Sequence, residues 1–227
     1  MEVAFAGSFY TPEEELIAKL GQVKAWVFDW DGVFHSGQKD SQGNSSFSEV
    51  DSMGLNLLRY GTYLQNGAMP LSIILTGMNN PTAAYFAERE HFDALFMGFR
   101  DKSHALNYIC EQHQLAPYEV GFVFDDVLDF NVAKEVGVRF AVPHSAAPMT
   151  HDFMAHNGLV DYACAHAGGH GALREMAELS LVLMGQFDTV VEDRTAFNQA
   201  YTNYWEARQA IATAQFVPDA QGAPVRR

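Results

Sequence analysis

Asp29 and Asp31 follow the apolar run Ala25–Phe28, Thr76 follows Leu71–Leu75, Lys102 stands near the start of a helix-like segment, and Asp125, Asp126 and Asp129 follow Val120–Phe124. Carboxylates gathered within a few ångströms repel one another unless they are protonated or share a metal ion. Hard oxygen donors without His or Cys suit Mg²⁺. A phosphate group could bridge that metal, the Thr76 hydroxyl and the Lys102 ammonium, leaving a carboxylate free to attack phosphorus in line. Phosphoryl transfer is mostly positioning and charge stabilisation, so this set of groups suffices. Asp29 is the candidate nucleophile. Asp31, two residues on, can protonate the leaving alkoxide and later activate water against the aspartyl-phosphate.

Such residues need elements that end together. Lys24–Phe28 reads as a buried strand whose C-terminal end turns abruptly polar at Asp29-Trp30-Asp31-Gly32. Leu71–Leu75 ending at Thr76-Gly77, and Val120–Phe124 ending at Asp125-Asp126, repeat the pattern, and Ala94–Phe96 and Phe140–Val142 supply two more strands. Strands alternating with helix-like segments at this spacing predict an α/β fold with a doubly wound parallel sheet, whose strand ends converge on one edge. Val33–Val50, rich in Gly, Ser, Gln and Asn, reads as a flap with Ser45–Val50 as one arm of a β-hairpin. Ahead of the first strand, Thr11 caps a helix, with Pro12 at its first position and Glu14 completing a capping box, and the helix ends at Gly21. Gly168-Gly169-His170-Gly171 leads into a helix through about Met184, and a further helical pattern covers roughly Asp188–Ala214. Phe197, Tyr201, Tyr204 and Trp205 share one face of that pattern, which reads as packing on the core or on a neighbouring subunit. Pro218–Arg227 reads as frayed. The chain thus divides into an N-terminal helical extension (1–22), a core (23–185) and a C-terminal helix and tail (186–227).

A chain of 227 residues with 48% hydrophobic and 13% aromatic content can bury a full-sized core. Its 14 basic against 28 acidic residues give a net charge of −14, which argues against nucleic acid or an anionic membrane as partner. A small anionic metabolite fits only with help from a metal or a few placed cations. Cys110 and Cys164 form no C-x-x-C pair, and the N-terminus lacks the basic-then-apolar order of a signal peptide, so a cytoplasmic location is expected. The longest apolar runs fall far short of the roughly 20 residues needed to cross a bilayer. Cys164, His166 and His170 lack the fourth ligand of a structural zinc site, and His144, His151 and His156 share no helical face and read as surface residues.

Phe28–Val33, Leu75-Thr76-Gly77, Lys102, and Asp125–Asp129 resemble, in order, the four motifs of the haloacid dehalogenase superfamily of phosphatases. Phe47–Leu58, Lys102–Leu106, Phe124–Val142 and Ala167–Glu175 look like the branch that contains 3-deoxy-D-manno-octulosonate 8-phosphate phosphatases and their relatives acting on sialic-acid-type 9-phosphates. The resemblance spans about Val23 to Asp188. It implies a Rossmann-like catalytic core of haloacid dehalogenase type without a cap domain, a Mg²⁺ cofactor, and a small phosphorylated sugar-acid or sugar metabolite as substrate. It also implies a homo-oligomer, usually a tetramer, in which flaps and C-terminal segments of neighbours close the site. By position, Asp29 is nucleophile and Mg²⁺ ligand, Asp31 acid/base and backbone ligand, Asp125 a ligand, and Thr76 and Lys102 phosphate binders, with Gly32 and Gly77 beside the substrate. Spacing supports the absence of a cap independently, because only one helix and one short strand fit between Thr76 and Lys102.

The chain departs from the branch's usual pattern at Met78 and His170, where Arg is common, at Phe124, where Gly is usual, and at Ser52. Among the basic residues only Lys102, Arg100 and Arg174 can be placed near the site, with His170 as a conditional cation. One charge-assisted bond is worth roughly 1.5 to 3 kcal/mol, so a neutral sugar phosphate stands beside a sugar acid as substrate. The alternative reading is a catalytically weakened relative serving as a binding or scaffold subunit. A phospho-accepting receiver domain carries its acidic pair on the first strand, whereas Asp125-Asp126 follows a late one. Asp129 divides between a helix N-terminal carboxylate and an outer contact of the metal site, and Gly168–Gly171 between a flexible lead into a helix and an anion-binding nest.

Overall fold

The computed structural model describes residues 5–227; residues 1–4 of the N-terminal extension lie outside the described residues. β2 (Ala25–Phe28) is the hub of the sheet, and all four of its residues are buried, as a strand covered on both faces requires. β3 (Leu71–Thr76) pairs with it on one side and β5 (Val120–Phe124) on the other, both parallel, so that Phe28 stands between Ile74 and Val123. Beyond β3 lies β4 (Ala94–Met97); beyond β5 lie β6 (Val138–Ala141) and β7 (Tyr162–Ala163). Two antiparallel pairings finish the edges: β1 (Ser8–Phe9) on β7, and β9 (Pro224–Arg226) on β8 (Ala214–Pro218), which itself runs parallel to β4. The order β1-β7-β6-β5-β2-β3-β4-β8-β9 reverses direction at β2, which is where an open α/β sheet leaves a crevice at its strand ends.

Helices cover both faces. α1 (Glu13–Leu20), α2 (Glu49–Asn66), α3 (Pro81–Arg89) and α7 (Ala172–Leu183) pack on one, and α4 (Ser103–His113), α5 (Phe130–Ala133) and α6 (Pro148–His156) on the other. Close approach of α2 and α7 depends on glycine: a Cβ at Gly61 would stand 2.1 Å from Leu181 Cδ2, and one at Gly54 2.9 Å from Arg174 Cα. Aromatic residues fill the space above β2. Trp26 lies over Gly121, whose missing Cβ makes the room, and its Nε1 donates to Thr62 Oγ1 at 3.0 Å. Trp30 stacks on Phe34 with ring centroids 4.5 Å apart and meets Phe86. Burying a side chain of this size stabilises by about 4 to 5 kcal/mol as an upper figure, and Trp30 spends that anchorage on the segment between Asp29 and Asp31.

Several expectations need correction. Thr11 does not cap α1; Pro12 takes that position, and Thr11 Oγ1 donates instead to buried Asp161 Oδ1 at 2.5 Å. The segment after Asp31 is an irregular loop and not a β-hairpin: apart from an Asp31–His35 bridge it forms no strand pairing among the described residues, and an Asp40-centred turn with Asn44 organises it. The C-terminal helical pattern is two helices, α8 (Phe187–Ala196) and α9 (Gln199–Gln209), because Phe197 turns left-handed at φ 48° and the Asn198 side chain starts α9 by accepting from the Tyr201 amide. Tyr201 and Tyr204 pack on Tyr60 of α2, while Phe197 and Trp205 remain exposed. Most consequentially, Pro218–Arg227 is not frayed. It contributes the end of β8 and all of β9, held by Phe216 stacked at 4.7 Å on Phe96. No helix among the described residues is long and apolar enough to cross a membrane.

Candidate active site

The C-terminal ends of β2, β3, β4 and β5 surround a cleft of about 450 Å³. Asp29 leaves β2 with its amide bonded to Val123 O at 2.9 Å, so the sheet ladder itself fixes where its carboxylate projects. Lys102 arrives from the loop between β4 and α4, is 2% exposed, and donates to Asp29 Oδ1 at 2.6 Å and Asp129 Oδ1 at 2.5 Å. Asp129 closes the single 3₁₀ turn Val127–Asp129 after β5, which the Asp126 side chain caps. Asp29, Asp125 and Asp129 each offer an oxygen, and these oxygens lie within 4.8 Å of one another.

One buried ammonium therefore serves two carboxylates, with a third, Asp125, beside them. Burial pushes the Asp29 carboxyl well up, Lys102 pulls it down, and Asp129 and Asp125 push it further up; burial likewise raises Asp129 against the pull of Lys102. Burial alone would lower Lys102, and Asp129 and Asp29 together more than reverse that. The surplus of negative charge in a space walled by oxygen donors fits a divalent hard cation, which would restore neutrality. Asp29 and Asp125 stand in this group together with Asp129; the Asp31 carboxylate, read as acid/base with only its backbone as a metal ligand, lies outside it.

Asp31 points to a separate set of donors. His35 Nε2 lies 2.9 Å from its Oδ1, Lys39 Nζ 2.8 Å and Asn80 Nδ2 3.1 Å from its Oδ2. Burial works to raise this carboxyl, but the bonds from His35, Lys39 and Asn80 outweigh it and hold it at about 2. The Gly37 amide donates to His35 Nδ1, which leaves Nε2 as the protonated nitrogen facing Asp31. Thr76 is fully buried just beneath the cleft, and its hydroxyl accepts from Asn80 Nδ2 at 2.7 Å, so Asn80 ties the end of β3 to Asp31.

Gly32 and Gly77 both line the cleft as the sequence predicts. At Gly32 the requirement is strict: φ is +82°, and a Cβ would stand 1.9 Å from Asp125 Oδ2. His170 and Arg174 do not reach the cleft. Arg174 Nε pairs with Glu178 at 2.6 Å, and His170 Nδ1 meets Gly168 O. Their segment has a packing role instead. A Cβ on Gly168 would fall 1.9 Å from Gly32 O, and one on Gly169 2.9 Å from His35 Cα, so this strand of glycines lies directly against the loop after Asp31. Glu175 binds the amides of Ala165 and His166, and Asp51 of α2 binds those of Gly171 and Arg174, fixing the segment from both sides.

Sequence reasoning missed His144, Asn80, His35 and Lys39. His144, read as a surface residue, bonds Asp125 Oδ2 at 2.8 Å and lines the cleft, and that bond raises its pKa. Nothing in its local pattern announces this, since it follows β6 by a loop. Asn80 was legible in principle as the residue before Pro81 at a helix start. The departures at Phe124 and Ser52 leave the cleft intact: Phe124 is turned into the core against Phe122, and Ser52 accepts from Arg89. Met78 is at the mouth and 61% exposed.

No protein-family model matches the chain. In sequence it is similar to the 3-deoxy-D-manno-octulosonate 8-phosphate phosphatase of Escherichia coli K12, with 27% identity over 184 residues, covering 77% of this chain and 87% of that protein. In structure it is similar to the Moraxella catarrhalis phosphatase of the same name, solved with magnesium, phosphate and the KDO molecule, at TM-score 0.66 and 25% identity, covering 82% and 99% of the two chains. A haloacid dehalogenase superfamily (subfamily III A) hydrolase from Legionella pneumophila gives TM-score 0.67 and 26% identity over 81% and 95%.

Proposed function

We propose that this chain, a haloacid dehalogenase-type phosphatase by sequence similarity and by fold, hydrolyses the phosphate monoester of a small sugar or sugar acid through an aspartyl-phosphate on Asp29. The observation that carries the reading is Lys102, buried and shared by Asp29 and Asp129 in a cleft that Asp125 completes. Asp29, Asp125 and Asp129 would hold Mg²⁺, which when bound neutralises charge on the phosphoryl oxygens. Lys102 neutralises a further phosphoryl oxygen and orients the Asp29 carboxylate. An Asp29 oxygen attacks phosphorus, the bond from phosphorus to the leaving oxygen breaks, and Asp31 gives that oxygen its proton.

Asp31 is ionised as it stands, which suits the second half of the cycle, when it takes a proton from water attacking the aspartyl-phosphate. A phosphoryl group brought against it raises its pKa by like-charge repulsion, which loads the proton needed for the first half. Names of the related proteins support a sugar-acid phosphate, and the loss of cations at Met78 and His170 keeps neutral sugar phosphates in the panel. The test is phosphate release from both kinds of ester with and without Mg²⁺. Turnover should require the ion and vanish in Asp29→Asn; full turnover by that variant sinks the assignment.

A further inference from the structure

β8 runs parallel to β4, so its C-terminal end, Pro218, emerges on the same edge of the sheet as the catalytic strand ends. There the chain turns through Asp219–Gly222 and returns as β9. Asp219 Oδ1 accepts from the Gln221 and Ala223 amides, and Gly222 O meets His104 Nδ1 at 3.2 Å. The turn is thereby braced against α4. Between it and the loop Gly98–Asp101 lies a second hollow of about 490 Å³. Arg100 lines both this hollow and the catalytic cleft. It is exposed and makes no ion pair among the described residues, which leaves its five N–H donors unused at the border of the two. Across the cleft mouth stand the exposed apolar side chains of Met78 and Leu128.

Resting on the phosphatase reading above, we propose that the hollow under the β8–β9 turn receives the distal part of the substrate's leaving group, supplied by the same chain, with Arg100 as the specificity residue at its threshold. The chemistry it fits is an extended polyol: carbon backbone against Met78 and Leu128, oxygen acceptors toward the Arg100 guanidinium, and hydroxyls in a hollow bounded by His104, Asp101 and the turn. On this proposal a leaving group of one or two carbons is the reference ester that leaves the hollow empty.

The test compares kcat/KM, with Mg²⁺ present, for an eight-carbon sugar-acid phosphate and a neutral six-carbon sugar phosphate against glycolaldehyde phosphate as the short ester. In Arg100→Ala the long-to-short ratio should fall about tenfold or more, mainly through KM, with a larger fall for the acid if the guanidinium meets a carboxylate. Ala220→Trp fills the hollow from an exposed turn position, where folding is not at stake, and should lower the same ratio. If neither variant changes the ratio while Asp29→Asn abolishes turnover of all three esters, the hollow is not a subsite and the phosphatase reading stands. If the unaltered protein hydrolyses none of them, both readings fall.

Discussion

Gly168→Ala separates packing from chemistry at this site. The Gly168 backbone is not left-handed, so alanine suits it locally; the conflict is with what lies opposite. The new methyl would stand 1.9 Å from Gly32 O, 2.5 Å from Gly32 C and 2.8 Å from His35 O, all backbone atoms that no rotamer change can move aside. Relief requires the loop after Asp31, or the segment leading into α7, to shift by roughly 1 Å or more. Overpacking of this kind costs about 1 to 3 kcal/mol, and in a chain of this size about 2 kcal/mol lowers Tm by about 4 to 8 °C. The larger consequence is catalytic. Gly32 lies against Asp125, and His35 holds Asp31, so a displacement of that size in their loop should lower kcat about 100-fold. Thermal unfolding and Mg²⁺-dependent phosphate release on the same preparation read both effects. Gly21→Ala, whose nearest new contact is Ala18 O at 3.4 Å, serves as the control with neither. Gly168→Ala with the Tm and kcat of the unaltered protein would refute the argument that this glycine sets the position of the catalytic loop.

Other outcomes follow from the same structure. Asp161 is buried and bonded to Thr11, Lys19 and Arg139; burial would raise its carboxyl, but the bonds from Arg139, Lys19 and Thr11 lower it. Because its folded pKa lies below its unfolded value, its stabilisation is complete above the ordinary carboxylate range near 4 and is lost as pH falls through and below that range. Asp161→Asn should therefore cost about 3 kcal/mol in urea unfolding at pH 7 and much less at pH 3, and an equal cost at both would contradict the assignment. Mg²⁺ at a hundredfold excess over its Kd should stabilise the protein by about 2.7 kcal/mol, an increment that disappears in Asp125→Asn. An undiminished increment would remove Asp125 from the ligand set. His144→Ala, by releasing Asp125, should weaken Mg²⁺ binding about tenfold in calorimetric titration, and unchanged affinity would leave His144 without a positioning role.

The strand-end residues were legible because each stands where an apolar run breaks into polar sequence, a signal confined to a few neighbouring positions. β5 was bounded correctly and β2 to within a residue, whereas β6 begins at Val138, two residues before the sequence reading. Helix ends were less legible. Thr11 has the right type and spacing for a cap, but Asp161, 150 residues away, offers its hydroxyl a buried charged acceptor that no local pattern reports. The C-terminal hairpin failed to register for a related reason: β8 gains its order from Phe96 and from pairing to β4, so its own short, mixed composition reads as a tail.

By itself the sequence determined which groups meet at the cleft floor, since a parallel sheet brings the ends of its strands to one edge whatever their order along the chain. Gly32 it placed beside the substrate by resemblance alone; the need for glycine there, a positive φ and the proximity of Asp125, comes from the fold. The tertiary structure decided how those groups divide: Asp129 joins Asp29 and Asp125 around Lys102, while Asp31 is drawn aside by His35, Lys39 and Asn80. It also decided that Gly168–Gly171 supports the catalytic loop and that His144 belongs to the site. The physical reason is range. Backbone direction and apolar periodicity are set within a few residues, but the partner of a buried charge is whichever group the folded chain places within 3 Å, and that is fixed only when every strand has found its neighbour.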